Sequence, residues 1–254
     1  MAMNQKTVGL GVLAIAIVVG LVWMQRIGKD EGVEANSGNA ARAVSSDVSH
    51  STDPIPSSKA VLSNDAPKKK SVRHPFPEVP RTREGLSFKD DPSFAESKAE
   101  QQWLDRHGYP NEKQWEAYML APDALLKQAA DAGDMDAQAM LDARLLPVDR
   151  RAQQRLIEAG AEGNLFALTM LASYQGGSSG GDPVAAYALS RVTEMRGDTR
   201  AGITRDLMII KPLSNEQRML GEAEALRLNE AIEKIYIAKH GVAPSLDKRP
   251  IGVK

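Results

Sequence analysis

The sequence predicts an all-α protein whose main domain is a short α-solenoid, a stack of helical hairpins closed by a C-terminal helix. Three observations predict it: a segment that recurs about thirty residues later, glycines followed by Asp or Asn at matching positions, and an amphipathic stretch after the last copy. Self-similarity at a fixed offset of this size is typical of repeat architectures. One transmembrane helix and a disordered linker are predicted ahead of this domain.

The repeat is clearest between residues 126–141 and 156–171, and a third copy keeps only the centre of the pattern. The recurring structural positions are a glycine, an alanine and a leucine. In the three copies these are Gly133, Ala137 and Leu141, then Gly163, Ala167 and Leu171, then Gly197 and Ala201.

Each recurring position has a physical role. Glycine readily adopts the left-handed conformation that ends a helix, and an Asp or Asn directly after it accepts hydrogen bonds from the free N–H groups of the next helix. The alanine near the start of the second helix allows two antiparallel helices to approach closely, and the leucine one turn later fills the interior. A single hairpin cannot bury its apolar face alone, so neighbouring hairpins are expected to stack.

The second copy continues into a longer pattern of small residues, a tyrosine, a glycine-bearing loop and an aspartate. Its members are Ala159, Gly163, Ala167, Leu171, Tyr174, Gly176, Gly177 and Asp182, and Ala185-Ala186-Tyr187 opens the next helix. Over residues 122–210 the chain resembles the Sel-one-like repeat family, a relative of the tetratricopeptide repeat. The resemblance implies an α-solenoid that binds protein partners.

Two copies depart from the family pattern. In the first copy, Arg144-Leu-Leu-Pro147 replaces the Tyr-Gly part, and the third copy has Arg205 where leucine is expected. An irregular helical bundle is therefore the alternative fold.

Helical patterning begins near Phe94, ahead of the repeats. One helix with Trp103 is expected to end at Gly108, and a second with Tyr118 to end before Pro122, so that the pair forms an entry cap. The helical-repeat domain is expected to span residues 93–241.

After the last copy, Ser214 and Gln217 form a predicted capping box that begins a closing helix. That helix is expected to run to His240 and to end at Gly241. Its predicted apolar stripe consists of Met219, Leu220, Ala223, Leu226, Ile232, Ile235 and Tyr236. Residues 242–254 are expected to be a flexible tail.

Residues 7–24 carry no charge and are long enough to cross a bilayer as a helix. Residues 1–29 are therefore predicted to be an uncleaved membrane anchor, and a cleaved secretory signal is the alternative. Basic residues flank the segment on both sides, at Lys6, Arg26 and Lys29, so the charge bias does not decide the orientation. The very short N-terminal segment favours a bacterial inner-membrane protein whose C-terminal domain lies in the periplasm.

Residues 30–92 are rich in Ser, Pro, Asn and Gly, and they show no helical or strand period, which predicts a disordered tether. The run Lys68-Lys69-Lys70 is either an anionic-lipid contact or a solvated basic cluster. The Pro-x-x-Pro spacing at Pro77 and Pro80 indicates either a docking peptide or a stiffened linker.

Composition and motifs give no indication of a cofactor, a metal, nucleic acid or a catalytic residue. The 32 basic residues balance 33 acidic residues, there is no cysteine, and the four histidines lack metal-ligand spacing. The glycine-rich loop at 176–181 lacks the Lys-Ser/Thr of a phosphate-binding loop. We therefore do not expect an enzyme.

The predicted function is that of a membrane-tethered scaffold or adaptor for a protein partner, because stacked hairpins present an extended concave surface. Lys127, Arg155 and Arg191 lie on the predicted first helices of the hairpins and are the candidate protein-binding residues. Two alternatives are an envelope enzyme accessory or inhibitor with a carboxylate cleft, and a structural spacer that binds its own copy.

Overall fold

The computed structural model describes residues 73–252, and within that range all regular structure is helical. One 3-10 turn, Phe88–Asp90, precedes nine α-helices, and the described residues contain no strand. The helices are α1 (Lys98–Arg106), α2 (Glu112–Leu120), α3 (Asp123–Asp131), α4 (Met135–Leu145), α5 (Arg150–Ala161), α6 (Leu165–Gly177), α7 (Pro183–Met195), α8 (Thr199–Met208) and α9 (Asn215–His240).

Three helical hairpins, α3/α4, α5/α6 and α7/α8, follow one another, and each turns at a glycine of the repeat. Gly133, Gly163 and Gly197 have φ angles of 89°, 99° and 121°, a region that favours glycine. The Asp or Asn after each glycine accepts hydrogen bonds from the first turn of the second helix. The turns therefore have both features that the repeat pattern requires.

Successive hairpins pack on each other through the second helix of the earlier hairpin, which contacts both helices of the later one. α4 contacts α6, α6 contacts α8, and each first helix packs on the second helix of its own hairpin. The second helix of one hairpin also contacts the first helix of the next. α4 contacts α5 in this way, and α6 contacts α7. The repeat positions in the second helices are buried, namely Ala137, Leu141, Ala167, Leu171 and Ala201.

The long helix α9 begins at the predicted capping box of Ser214 and Gln217, and Gly241 ends it at a φ of 73°. It packs mainly on α7 and α5, the first helices of the third and second hairpins. Its contact with α7 is close, because a β-carbon built on Gly221 would lie 2.5 Å from the Tyr187 ring.

The apolar stripe of α9 differs from the predicted one at its N-terminal end. The buried residues are Gly221, Ala225 and Ile232, whereas Met219, Leu220 and Leu226 face solvent. Small side chains lie against α7 because the two helix axes approach too closely there for larger ones. Hydrophobicity alone does not reveal this choice of face.

The folded domain begins before residue 93, within the segment that was predicted to be a linker. Arg83 is buried, and its Nε donates to Asp91 at 2.6 Å. Its two terminal nitrogens donate to the backbone oxygens of Tyr109 and Pro110, each at 2.8 Å. One arginine thus fixes this segment to the loop between α1 and α2, which compensates for the small number of apolar residues.

The C-terminal residues, expected to be a flexible tail from residue 242, also pack on the domain. Trp103 in α1 donates from Nε1 to the backbone oxygen of Asp247 at 2.9 Å. Arg249 is buried and donates to the carboxylate of Glu100 at 2.7 Å. Its backbone N–H donates to Gly197 in the third hairpin turn at 2.9 Å. The tail therefore joins the entry helix to the last hairpin.

The loop after α1 contacts the second and third hairpin turns. His107 Nδ1 lies 2.9 Å from the backbone oxygen of Gly163, and Tyr109 donates to the carboxylate of Asp198 at 2.6 Å. The N-terminal segment, this loop and the tail together lie against the ends of the hairpins where the glycine turns are found. They couple hairpins that are distant in sequence.

The predicted membrane anchor, the linker up to residue 72 and the Lys68-Lys69-Lys70 run lie outside the described residues. Among the helices between residues 73 and 252, none combines the length and the apolar character that a bilayer crossing requires.

Candidate functional site

Lys127 lies on α3, and its side chain points into solvent. Its exposed fraction is 66%, and Nζ contacts both carboxylate oxygens of Asp131 one helical turn away, at 2.8 and 2.9 Å. An exposed pair of this kind contributes little to stability. The ammonium group is therefore available to a partner.

Arg155 lies on α5 and is occupied by internal ion pairs. Its Nε donates to Asp142 of α4 at 2.6 Å, and Nη2 donates to Asp149 at 2.9 Å. Asp142 is almost fully buried, and Asp149 caps the N-terminus of α5. Arg155 thus compensates a buried charge and joins two hairpins.

Arg191 lies on α7, at the contact with α9. It donates from Nε to Glu222 of α9 at 3.1 Å and pairs with Glu194 at 3.0 Å. Glu222 also accepts from the hydroxyl of Tyr187 at 2.8 Å. Although burial opposes it, hydrogen bonds from Tyr187 and Arg191 hold the pKa of Glu222 below its usual value. Arg191 therefore helps to hold α9 against α7.

The surface of the first helices is partly covered by α9. The last turn of α9 reaches the C-terminal end of α5, where Lys239 and His240 lie 3.1 and 3.0 Å from Glu162. The remaining surface is formed by α3 and the outward side of α5, and we call it the open face. Its exposed residues are Leu125, Lys127, Asp131, Arg151, Gln154 and Glu158.

A second notable feature is a buried polar cluster at the first hairpin turn, centred on Asp134. One carboxylate oxygen of Asp134 accepts the backbone N–H groups of Asp136 and Ala137, and the other accepts the hydroxyl of Tyr118 at 2.5 Å. Arg81 Nη1 and His74 Nε2 each lie 3.1 Å from this second oxygen.

The neighbouring Asp136 has a different environment, although it belongs to the same cluster. Its carboxylate accepts from Gln114 at 2.8 Å, and it has no cationic side chain within ion-pair distance among the described residues. Burial and the nearby Asp134 carboxylate raise the pKa of Asp136 to about 7. The cluster therefore holds one carboxyl group, Asp134, that accepts several hydrogen bonds, and a second, Asp136, whose pKa is raised.

The repeat pattern does not predict this cluster. Asp134 was expected only to cap α4, and neither Asp136 nor Tyr118 was among the candidate site residues. The available signal was the Gly-Asp-Met-Asp run, which places a second carboxyl group in the first turn of α4. In the described part of the chain, no group of three or more His, Asp or Glu side chains is placed to hold a metal ion.

Comparisons of the chain with protein-family models, with curated proteins and with solved structures found no match.

Proposed function

We propose that the chain is a membrane-tethered helical-repeat adaptor, whose α-solenoid of Sel-one-like repeats binds a protein partner on the open face. The observation that carries the proposal is the position of α9, because an amphipathic helix of the chain itself lies on the first helices α5 and α7. Binding of a helix in a groove formed by other helices is a common mode of peptide recognition.

The open face continues the surface on which α9 lies. It presents exposed charged groups of both signs. Such a surface suits a partner that carries complementary charges. Lys127 lies on this surface, and its only ion pair within the described chain is the weak, exposed one with Asp131. The ion pairs of Arg155 and Arg191, by contrast, stabilise the domain itself. Lys127 is therefore the residue from which to map the partner.

The test is site-specific photocrosslinking of the full chain in cells of the source organism. A photoreactive residue replaces Lys127 or Gln154 on the open face, and matched controls replace Lys113 on α2 or Lys234 on α9, both of which are exposed. The proposal expects one discrete adduct from the open-face positions and none from the controls. Adducts of equal intensity at all four positions, or at none, would contradict it.

The membrane part of the proposal rests on residues 7–24, and it is tested separately. The full chain is expected in the membrane fraction after alkaline extraction, whereas a chain beginning at residue 73 is expected in the soluble fraction. A protease added to intact spheroplasts is expected to degrade the domain, because the proposal places it in the periplasm. Protection of the domain would reverse the proposed orientation.

One observation favours an enzyme accessory of the cell envelope as a second candidate: Asp134 and Asp136 are neighbouring carboxyl groups with different hydrogen-bond partners, and the pKa of Asp136 is raised. A pair of this kind can supply a base and an acid near neutral pH. Asp136→Asn should then abolish an activity on envelope polymers while the domain remains folded. Equal activity in Asp136→Asn and the native protein would dismiss this candidate.

A further inference from the structure

The C-terminal tail lies in a groove between α1 and the turn of the third hairpin. Its backbone is held at two points: the Asp247 oxygen accepts from Trp103 Nε1, and the Arg249 N–H donates to the oxygen of Gly197, each at 2.9 Å. Residues 243–250 form no helix or turn, so the groove holds them as an irregular peptide. We call it the tail groove, and its walls are formed by Glu100, Trp103, Arg106, His107 and Asp198.

One end of the tail groove is a pocket for a guanidinium group. Arg249 donates from Nε to Glu100 at 2.7 Å and from Nη1 to Asp198 at 3.2 Å. Its Nη2 donates to the backbone oxygen of Ser93 at 2.7 Å, and its Cζ lies 5.7 Å from the centre of the Trp103 ring. A planar group with donors in several directions matches these acceptors and this ring, whereas the ammonium group of lysine does not.

The two carboxylates of this pocket are also held by contacts that do not involve the tail. The second oxygen of Glu100 accepts the backbone N–H of Glu96 at 2.6 Å. The second oxygen of Asp198 accepts the hydroxyl of Tyr109 at 2.6 Å, and Asp198 also caps α8. The pocket therefore keeps its acceptors in place when the tail leaves. Because it then contains two buried carboxylates without their main cation, it favours the binding of another guanidinium group.

The other end of the tail groove binds a carboxylate. Asp247 accepts from Arg106 Nη2 at 2.8 Å, and His107 Nε2 lies 3.2 Å from the same oxygen. The groove thus contacts a carboxylate at one position of a peptide and a guanidinium two residues further along. Its own charges have the opposite order, cationic beside Asp247 and anionic beside Arg249.

The segment between α9 and the docked residues is attached to nothing. Residues 242–246 make no hydrogen bond within the described part of the chain, and Val242 and Leu246 have exposed fractions of 61% and 56%. The hydrogen bonds that hold the tail to the rest of the domain all involve Asp247 or Arg249. A short docked motif on an unattached connector is the arrangement of a ligand tethered to its own site.

We propose that the tail groove is a peptide-binding site for a partner protein, which it recognises by an acidic residue followed two residues later by an arginine. The tail of the chain is a built-in competitor for this site. The groove is formed by elements other than those of the open face, so this inference goes beyond the proposed function and does not depend on it.

The tether makes the tail an effective competitor. A short connector gives a docked segment a local concentration on the order of millimolar, which a partner peptide has to exceed or outbind. Displacement of the tail also removes the link that Arg249 makes between α1 and the third hairpin turn. Occupation of the groove by a partner is therefore coupled to how firmly the two ends of the domain are joined.

The test uses a fluorescent peptide with the sequence of residues 244–252 and the full chain. Arg249→Ala removes the competing side chain, and fluorescence anisotropy should show at least tenfold tighter binding of the peptide to this variant than to the native chain. A peptide that carries Arg249→Lys should bind the variant at least fivefold more weakly. Adding Arg106→Ala to the variant should weaken binding severalfold, whereas Arg227→Ala, the exposed control, should not.

A second measurement covers the case in which Arg249→Ala does not fold. A protease site replaces residues 242–246 in the otherwise native full chain, which is cut after folding. The cut tail should exchange for the labelled peptide, whereas the uncut chain should take up little of it. Nine-residue peptides selected from a random library on the cut chain should be enriched in an acidic residue with an arginine two residues later.

Two kinds of result would overturn the proposal. One is failure of the labelled peptide to bind either the variant or the cut chain, or selection of peptides that lack the acidic residue and the arginine. The other is a dimer of the native chain that Arg249→Ala dissociates, because the occupant of the groove would then be the tail of a second copy. Circular dichroism verifies that each protein is folded.

Discussion

The guanidinium of Arg249 donates from Nε to the buried carboxylate of Glu100 at 2.7 Å and contacts Asp198 from Nη1 at 3.2 Å. Glu100 belongs to the entry helix α1, whereas Asp198 caps α8 in the last hairpin. A residue five positions from the C-terminus therefore links the two ends of the helical domain.

Arg249→Ala should destabilise the domain by about 3 kcal/mol, because it leaves two buried carboxylates without their main cation. Urea unfolding followed by circular dichroism measures this change. The matched control is Arg227→Ala on α9, whose ion pair with Glu224 is exposed, and it should leave the stability almost unchanged. Equal effects of the two variants would mean that the tail does not contribute to the fold.

Gly160→Ala should destabilise the second hairpin by about 1–3 kcal/mol, because a β-carbon there would lie 2.5 Å from the side chain of Leu168. Helix propensity alone predicts the opposite sign, a gain of up to about 1 kcal/mol. The free energy of unfolding therefore distinguishes the two explanations by its sign.

Gly177→Ala is the control for this glycine, since it lies in α6 with no atom within 4 Å of the added β-carbon. It should be neutral or slightly stabilising. A loss of stability in Gly177→Ala as large as in Gly160→Ala would show that the effect is not due to the contact with Leu168.

Asp136→Asn should change how stability depends on pH. The pKa of Asp136 is raised to about 7 in the folded chain, above the 3.8 that is usual for an aspartate. At a pH between these two pKa values, the folded state binds more protons than the unfolded state. This group therefore makes stability fall as pH rises from about 4 to 7. The variant has no such group and should be more stable than the native chain at pH 8, by up to about 4 kcal/mol, the free energy that corresponds to the difference between the two pKa values.

The unfolding free energies of the variant and the native protein are measured at pH 4 and at pH 8. Subtracting the two proteins' values at each pH cancels the contribution of the other carboxyl groups. Asp131→Asn serves as the control, because that residue is exposed on α3. A difference that does not vary with pH would contradict the raised pKa.

Asp134→Ala should cost about 3 kcal/mol or more, because it removes a helix cap and also leaves the buried Tyr118 hydroxyl without its acceptor. Asp149→Ala removes a cap of the same kind from α5, together with a part-exposed pair to Arg155, and should cost about 1 kcal/mol. Thermal unfolding of the two variants compares them. A similar cost would show that the contacts from Tyr118, Arg81 and His74 add little.

The sequence alone was sufficient to predict the turns of the three hairpins, with the capping residue after each glycine, and the two ends of α9. Gly133, Gly163 and Gly197 adopt the positive φ angles that their place in the repeat requires, and Ser214 and Gln217 form the capping box of α9. These features depend on residues within a few positions of each other, so local conformational preferences determine them.

The tertiary structure decided which charged groups are available and which segments belong to the fold. Arg155 and Arg191 have the same sequence signature as Lys127, a basic residue on a first helix. Only folding places the buried Asp142 beside Arg155 and Glu222 of α9 beside Arg191. Contacts between residues far apart in the chain leave no periodic trace in the sequence.

The same reason explains the domain boundaries and the choice of the buried side of α9. The segments around Arg83 and Arg249 contain too few apolar residues to suggest packing, yet each contributes one buried arginine whose partners come from elsewhere in the chain. Hydrophobicity indicated that α9 is amphipathic, but the close approach at Gly221 decided which side is buried. The sequence by itself determined the helices and their order, and long-range pairing of buried charges and close helix contacts decided how they form one domain.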